Sequence, residues 1–245
     1  MTREIFTDID KLQKEINSFR PLSNVFLKQL REYYKVGLTY TSNALEGNSL
    51  TETETKLVLE DGITIGGKPI KDYYEAVGHG EAYNHIWKLS KNKNFTELDI
   101  KKIHKLFYHR IDETKAGKYR KEKIIITGSK HGFPTPEKVP DLMKGFVDKL
   151  EVLRQKHHPV EYSALVHKEF VFIHPFIDGN GRVARLLMNL VLLQKGYCVA
   201  VIPPILRGDY IQALEKAHTE DSSFIKFIAK VVKETQRDYL RLLRP

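Results

Sequence analysis

Apolar residues recur at helical spacing along almost the whole chain. A mixed apolar and charged stretch covers Asp8 to Phe19. Ser23 is placed to cap a helix through Val25, Leu27, Leu30 and Tyr34 towards Leu45, where Gly47-Asn48 breaks it. Thr51-Glu52-Thr53-Glu54 has the form of a capping box and leads into Leu57, Val58 and Leu59. After turns at Asp61-Gly62 and Gly66-Gly67-Lys68-Pro69, the pattern predicts a helix from Asp72 to Leu89. Thr96-Glu97-Leu98-Asp99 caps the next one, Ile100 to His109. Further helices are predicted near Val139–Arg154, Glu161–Ile173, Arg182–Lys195 and Asp209–His218, with a last one from Ser222 onward.

A β signal breaks this pattern at Lys123-Ile124-Ile125-Ile126-Thr127, which reads as a strand entering a hairpin tip at Gly128-Ser129-Lys130-His131-Gly132. The sequence carries no internal repeat and no low-complexity linker; Ser90-Lys91-Asn92-Lys93-Asn94 is the one candidate seam.

Composition changes this picture little. The 245 residues suffice for one large domain, and no apolar run nears the roughly 18 residues that span a bilayer. A lone Cys198 in an apolar run excludes an internal disulfide framework and points to a reducing, cytoplasmic setting. The net charge of +9 invites a nucleic-acid reading, but the lysines are scattered, with no aromatic-interleaved stripe and no zinc, helix-turn-helix or RNA-binding signature. Neither a nucleic acid nor a membrane is the expected partner.

The chemistry concentrates in His174-Pro175-Phe176-Ile177-Asp178-Gly179-Asn180-Gly181-Arg182, with Arg185 following. His174 falls at the end of an apolar helix, and its imidazole suits base work near neutrality. Gly179 and Gly181 allow successive N–H groups to point into one concavity, and the following helix adds its positive end. Arg182 and Arg185 share a helix face opposite the apolar stripe Val183, Leu186, Leu187, Leu190 and Val191. Arg suits phosphate, and Asp178 suits Mg²⁺ completed by phosphate oxygens. Each residue has an ordinary reading alone, as core histidine, turn or surface charge; together in twelve residues they describe a polyphosphate site. The loose dinucleotide pattern at Gly179–Ala184 lacks a preceding strand and a following acid, so it is rejected.

The segment matches HxFx(D/E)GNGRxxR at every defined position and resembles the signature of the Fic (Fido) family. Gly117-Lys118-Tyr119-Arg120 with the following strand resembles the start of that family's flap, and Arg207 to His218 resembles its adenosine-side helix. Ser42-Asn43-Ala44-Leu45-Glu46-Gly47 matches the family's (S/T)xxxE(G/N) inhibitory motif, here N-terminal to the core.

The resemblance implies an all-α, Fic-type helical bundle with one small β-hairpin flap. It implies an N-terminal helical region over 1–95 carrying the inhibitory motif, a catalytic domain over 96–232 and a helix end over 233–245. The implied activity is transfer of AMP from ATP, with Mg²⁺, to a Tyr, Ser or Thr hydroxyl of a target protein. His174 would be the base and Asp178 the metal ligand. Gly179, Asn180, Gly181, Arg182 and Arg185 would hold the phosphates, with Asn180 stabilising charge on the transferring oxygens. Thr127, Gly128, Ser129 and Lys130 would form the clamping flap, with Tyr210 and His218 on the adenosine side. Ser42, Glu46 and Gly47 would regulate, Glu46 competing with the γ-phosphate for Arg185. The target would dock around residues 124–134, and a homodimer is compatible. Two alternatives stay open: removal of AMP from a modified target with Glu46 as base, and a nucleotide-binding regulator without catalysis, for which an intact His174 is not required.

Overall fold

A computed structural model describes residues 2–125 and 130–244, without the side chains of Thr2 and Arg3. The chain folds as ten α-helices among these residues: α1 (Thr2–Ser18), α2 (Asn24–Ala44), α3 (Glu52–Glu60), α4 (Ile70–Leu89), α5 (Glu97–Tyr108), α6 (Val139–Lys156), α7 (Pro159–Ile173), α8 (Asn180–Gln194), α9 (Arg207–Lys216) and α10 (Asp221–Leu243). No described helix is long and apolar enough to cross a membrane.

The expected caps form. Ser23 accepts from the Phe26 N–H, and complete capping boxes open α3 at Thr51/Glu54 and α5 at Thr96/Asp99. α1 starts well before Asp8, because Ile9 and Ile16 are fully buried and its inward face packs along α10.

The centre of the bundle is α8, buried on every side from Arg182 to Leu192. It lies against α7, α4, α5 and α2. The stripe reading of this helix therefore needs correction. The apolar face is core as expected, but the opposite face is buried too, with Arg182 3 % and Arg185 2 % exposed. Two guanidiniums inside a helical core require fixed counter-charges, and Glu46, just past the end of α2, and Glu75 of α4 supply them. The main core includes Ile16, Leu30 and Tyr83 from before residue 95 and Ile103, Phe170 and Leu187 from after it, so α1, α2 and α4 share one interior with the signature helices.

The expected β-hairpin is not seen: there is no strand among the described residues. Lys123–Ile125 and Lys130–Phe133 are irregular. Thr127, Gly128 and Ser129 lie outside the described residues. The physical reason is the lack of a sheet: an isolated two-stranded ribbon is marginal in water, and Ile125, 96 % exposed, packs on nothing.

Candidate active site

Two helix ends meet at the site: α7 stops at His174 and α8 starts after Gly179. His174 is in the left-handed region at φ 50°, the sole non-glycine at positive φ among the described residues, a conformation found where surrounding structure enforces it. Its imidazole Nδ1 lies 3.2 Å from the Val171 carbonyl. A carbonyl only accepts, so Nδ1 carries the proton and Nε2 keeps its lone pair. Burial pushes the imidazole down to about 4, assisted by the nearby Arg120 guanidinium.

The loop behind the base is built from side chains. Phe176 is fully buried and stacks on His104 with ring centroids 3.8 Å apart. Asn180 returns to it twice, accepting from the Phe176 N–H at 2.9 Å and donating to the Phe176 carbonyl at 2.8 Å. The expectation that the Asn180 side chain faces the transferring oxygens is thus corrected: its amide is committed to the loop, and its backbone N–H remains for an anion. Asn180→Ala should destabilise by about 2–3 kcal/mol, two lost bonds with buried partners, read as a lowered midpoint of denaturant unfolding.

His104, which the sequence reading did not single out, accepts from the Gly117 N–H at 2.8 Å through Nδ1 and so donates from Nε2 to the Asp178 carbonyl, 3.1 Å away. Gly179 has φ 79°, and a Cβ there would stand 2.8 Å from the Phe107 ring, so both conformation and space call for glycine.

Asp178 accepts from its neighbour's amide, Gly179 N–H, at 2.6 Å and from Arg182 at 3.1 Å, and its second oxygen lies 3.5 Å from the Lys71 ammonium. Burial opposes its ionisation, but Arg182, the amide and Lys71 outweigh it and hold the carboxyl below its usual range. Arg182 also donates to Glu75 at 3.0 Å, a pair buried on both sides, and its guanidinium lies over Phe107. Each of its terminal nitrogens thus makes one bond to a carboxylate, and its geometry orients Asp178. Glu75 and Lys71 were missed in the sequence reading. A signal existed in Asp72, Glu75 and His79, which share one face of α4 at spacings of three and four and are all buried.

Arg185 donates to Ser42 twice, from Nε to the hydroxyl at 2.9 Å and from Nη2 to the carbonyl at 2.8 Å. It also reaches Glu46 Oε1 at 2.8 Å. Glu46 follows the end of α2, where Gly47 turns the chain at φ 93°. Its side chain is about one-third exposed (34 %) at the mouth of the cleft. Burial on its inner side opposes charge, but Arg185 and then Arg182 keep the carboxyl below its ordinary value. A Cβ on Gly181 would collide with Glu46 Oε1, so the carboxylate sits directly on the first turn of α8. There the amides of Asn180, Gly181 and Arg182 find no acceptor within the helix.

Tyr210, expected beside a nucleoside, is instead 3 % exposed behind Arg185. Its hydroxyl accepts from Arg185 at 3.3 Å and donates to His167 Nε2 at 2.9 Å. Its position suits it to fixing the guanidinium. His218, the other residue expected beside a nucleoside, is stacked between Phe172 (3.8 Å) and His131 (3.6 Å). The Lys130 N–H reaches Glu215 at 3.3 Å, so this end of the flap segment rests on the end of α9.

Four histidines around the site are held neutral by burial: His79 pushed down to about 3, His104 and His174 to about 4, and His167 well below its normal value. Unfolded, each takes up a proton near 6.5. Because their folded values are depressed, stability is full above pH 6.5 and falls as pH drops towards 4. For the three fully buried rings, His79, His104 and His167, the loss should approach about 1 kcal/mol each per pH unit below 6.5. Melting temperatures from pH 7.5 to 4.5 test this; a flat profile contradicts it.

The Fic/DOC family profile matches residues 94–192. The chain is 34 % identical, over 98 % of its length, to a protein adenylyltransferase Fic of Nematostella vectensis, covering 56 % of that protein. It is 36 % identical to one of Drosophila willistoni, with 82 % and 41 % covered. The chain thus spans about half the length of the curated relatives it matches. A crystal structure of a Fic domain containing signaling protein from Bacteroides thetaiotaomicron superposes with a TM-score of 0.89 at 30 % identity, covering 96 % of this chain and 97 % of that one. Fic-1 from C. elegans gives 0.88 at 28 % identity, with 98 % and 72 % covered. With the Bacteroides protein 30 % identical and matched over 97 % of its length, the chain belongs to the Fic/DOC family.

Proposed function

We propose that this chain transfers AMP from ATP to a hydroxyl side chain of a target protein and that Glu46 restrains the transfer. The observation that carries this reading is the juxtaposition at the α7–α8 junction: a neutral imidazole with its Nε2 lone pair available, beside a helix N-terminus on which the carboxylate of Glu46, just past α2, is seated. His174 Nε2 takes the proton of the target hydroxyl. The oxygen attacks the α-phosphorus, the bond to the bridging oxygen breaks, and pyrophosphate leaves with the electron pair. The first-turn amides of α8 and Arg185 bind the phosphates, and residues outside that junction, His218 among them, meet the nucleoside.

Asp178 fits Mg²⁺. It is ionised, and a cation, the Lys71 ammonium, already stands beside its second oxygen. One carboxylate is a common protein share for Mg²⁺, phosphate oxygens and water completing the shell. When bound, the ion would offset negative charge on the phosphates. The target chain docks by strand addition on residues 124–134, where Ile125 is fully open to a partner. In this reading 96–232 is the catalytic unit, 1–95 supplies the restraint, and 233–245 ends the last helix.

The test is incubation with Mg²⁺ and ATP labelled at the α- or the γ-phosphate. Label on protein from α alone supports AMP transfer; label from γ means a phosphoryl donor instead. The ionised Glu46 in the cleft also favours a second reading, activation of a water that removes AMP, and the same preparations assayed on an AMP-modified target test it.

A further inference from the structure

We infer that Arg120 is a positioning residue that ties both ends of the target-docking segment to the backbone of the general base. This rests on the AMP-transfer reading only for what the base does; the linkage itself is structural.

Arg120 is 3 % exposed. Among the described residues no carboxylate lies within ion-pairing distance of it. Burying a guanidinium without a counter-ion is costly unless its donors are all well placed. Here they go to three backbone carbonyls from three places: His174 at 2.7 Å, Glu122 at 3.1 Å and Pro134 at 2.6 Å. Its own amide donates to the Pro175 carbonyl at 2.9 Å. Glu122 and Pro134 are the two feet of the segment between them, and one planar fork joins both to the base residue.

The carbonyl it holds is that of the residue in the left-handed conformation. The His174 N–H is fixed to Phe170 at 3.1 Å, so Arg120 supplies the constraint on the other side of the same strained residue. Phe133, next to Pro134, sets its ring edge-on to the His174 imidazole at 4.8 Å. The backbone at Glu122 and at Pro134 therefore shares one guanidinium with the base residue. The sequence shows Arg120 merely as the last residue of Gly117-Lys118-Tyr119-Arg120.

The test uses Arg120→Met and Arg120→Lys in the full chain carrying Glu46→Gly. The Lys variant keeps the charge, with its donors on a single nitrogen in place of the planar fork, and guards against a folding failure of the Met variant. Turnover should fall on the order of 10²-fold in Arg120→Met, less in Arg120→Lys. ATP affinity, read by calorimetry, should stay within about twofold, since Arg120 bonds to no residue of the phosphate nest. The His174 imidazole resonances, assigned against His174→Ala, should shift or broaden in both variants. Unchanged His174 resonances and turnover, or a loss of ATP affinity as large as the loss of turnover, would overturn the inference. If Glu46→Gly itself transfers nothing, the activity reading fails separately, and the His174 resonances still decide the linkage.

Discussion

Replacing Glu46 by glycine should raise the initial rate of AMP transfer on the order of 10²-fold, the scale at which a misplaced reacting group costs rate. The Glu46 carboxylate is bonded to Arg185 and seated on the first turn of α8, over Gly181. In the proposed function a bound triphosphate needs the same guanidinium and the same amides. With the carboxylate present, the phosphates meet a like charge and are held out of line with the base; without it, the anion position opens. The guanidinium stays where it is, because the Ser42 hydroxyl, the Ser42 carbonyl and the Tyr210 hydroxyl still hold it. The fold should therefore survive: Glu46 is about one-third exposed, and such a solvated pair contributes within about 1 kcal/mol. Glu46→Gln keeps the shape and drops the charge, so it should fall between the wild type and the glycine variant. The readout is α-label incorporation against time, with melting temperature as control. Equal rates in the wild type and Glu46→Gly, with ATP bound by both, would remove Glu46 from the regulatory role.

Most of this arrangement is legible before any coordinates. The signature from His174 to Arg185 reads as a base, a carboxylate and an anion nest because glycine spacing and helix periodicity report backbone geometry locally. The helices are legible for the same reason, with Ser23, Thr51 and Thr96 marking their starts. Three things are not local. The first is burial of the polar face of α8. Arg182 and Arg185 look like surface charges until Glu75 from α4 and Glu46 from the turn after α2 are brought to them across more than one hundred residues of sequence. The second is division of labour among the polar residues. Asn180 and Tyr210 look like ligands of a nucleotide, yet their polar atoms are bonded to Phe176, Arg185 and His167. Nothing in residue type separates a group that faces substrate from one that holds such a group. The third is the hairpin. Lys123–Thr127 has strand propensity, but propensity reports a fit to a half-buried pleated surface, and this helical bundle offers no sheet to complete.

His174→Ala should abolish transfer, lowering the rate of the Glu46→Gly parent by on the order of 10²–10⁴-fold, the range for loss of a positioned general base. The tautomer decides the assignment: the proton sits on Nδ1 towards the Val171 carbonyl, leaving Nε2 as the acceptor. With the imidazole pushed down to about 4, it is already in the basic form at neutral pH. A depressed value means that protonation of the base cannot limit the rate until pH falls well below 6.5, so the acid limb of the free enzyme should lie near pH 4 to 5. An unburied histidine would place it near 6.5. ATP binding should persist in His174→Ala, because the proposed function assigns the phosphates to Arg185 and the α8 amides and the imidazole to the acceptor. The variant thereby separates catalysis from binding: nucleotide bound with no label transferred fits the proposed role. Transfer within tenfold of the parent would mean that the acceptor proton leaves by another route and that His174 is a part of the loop's architecture.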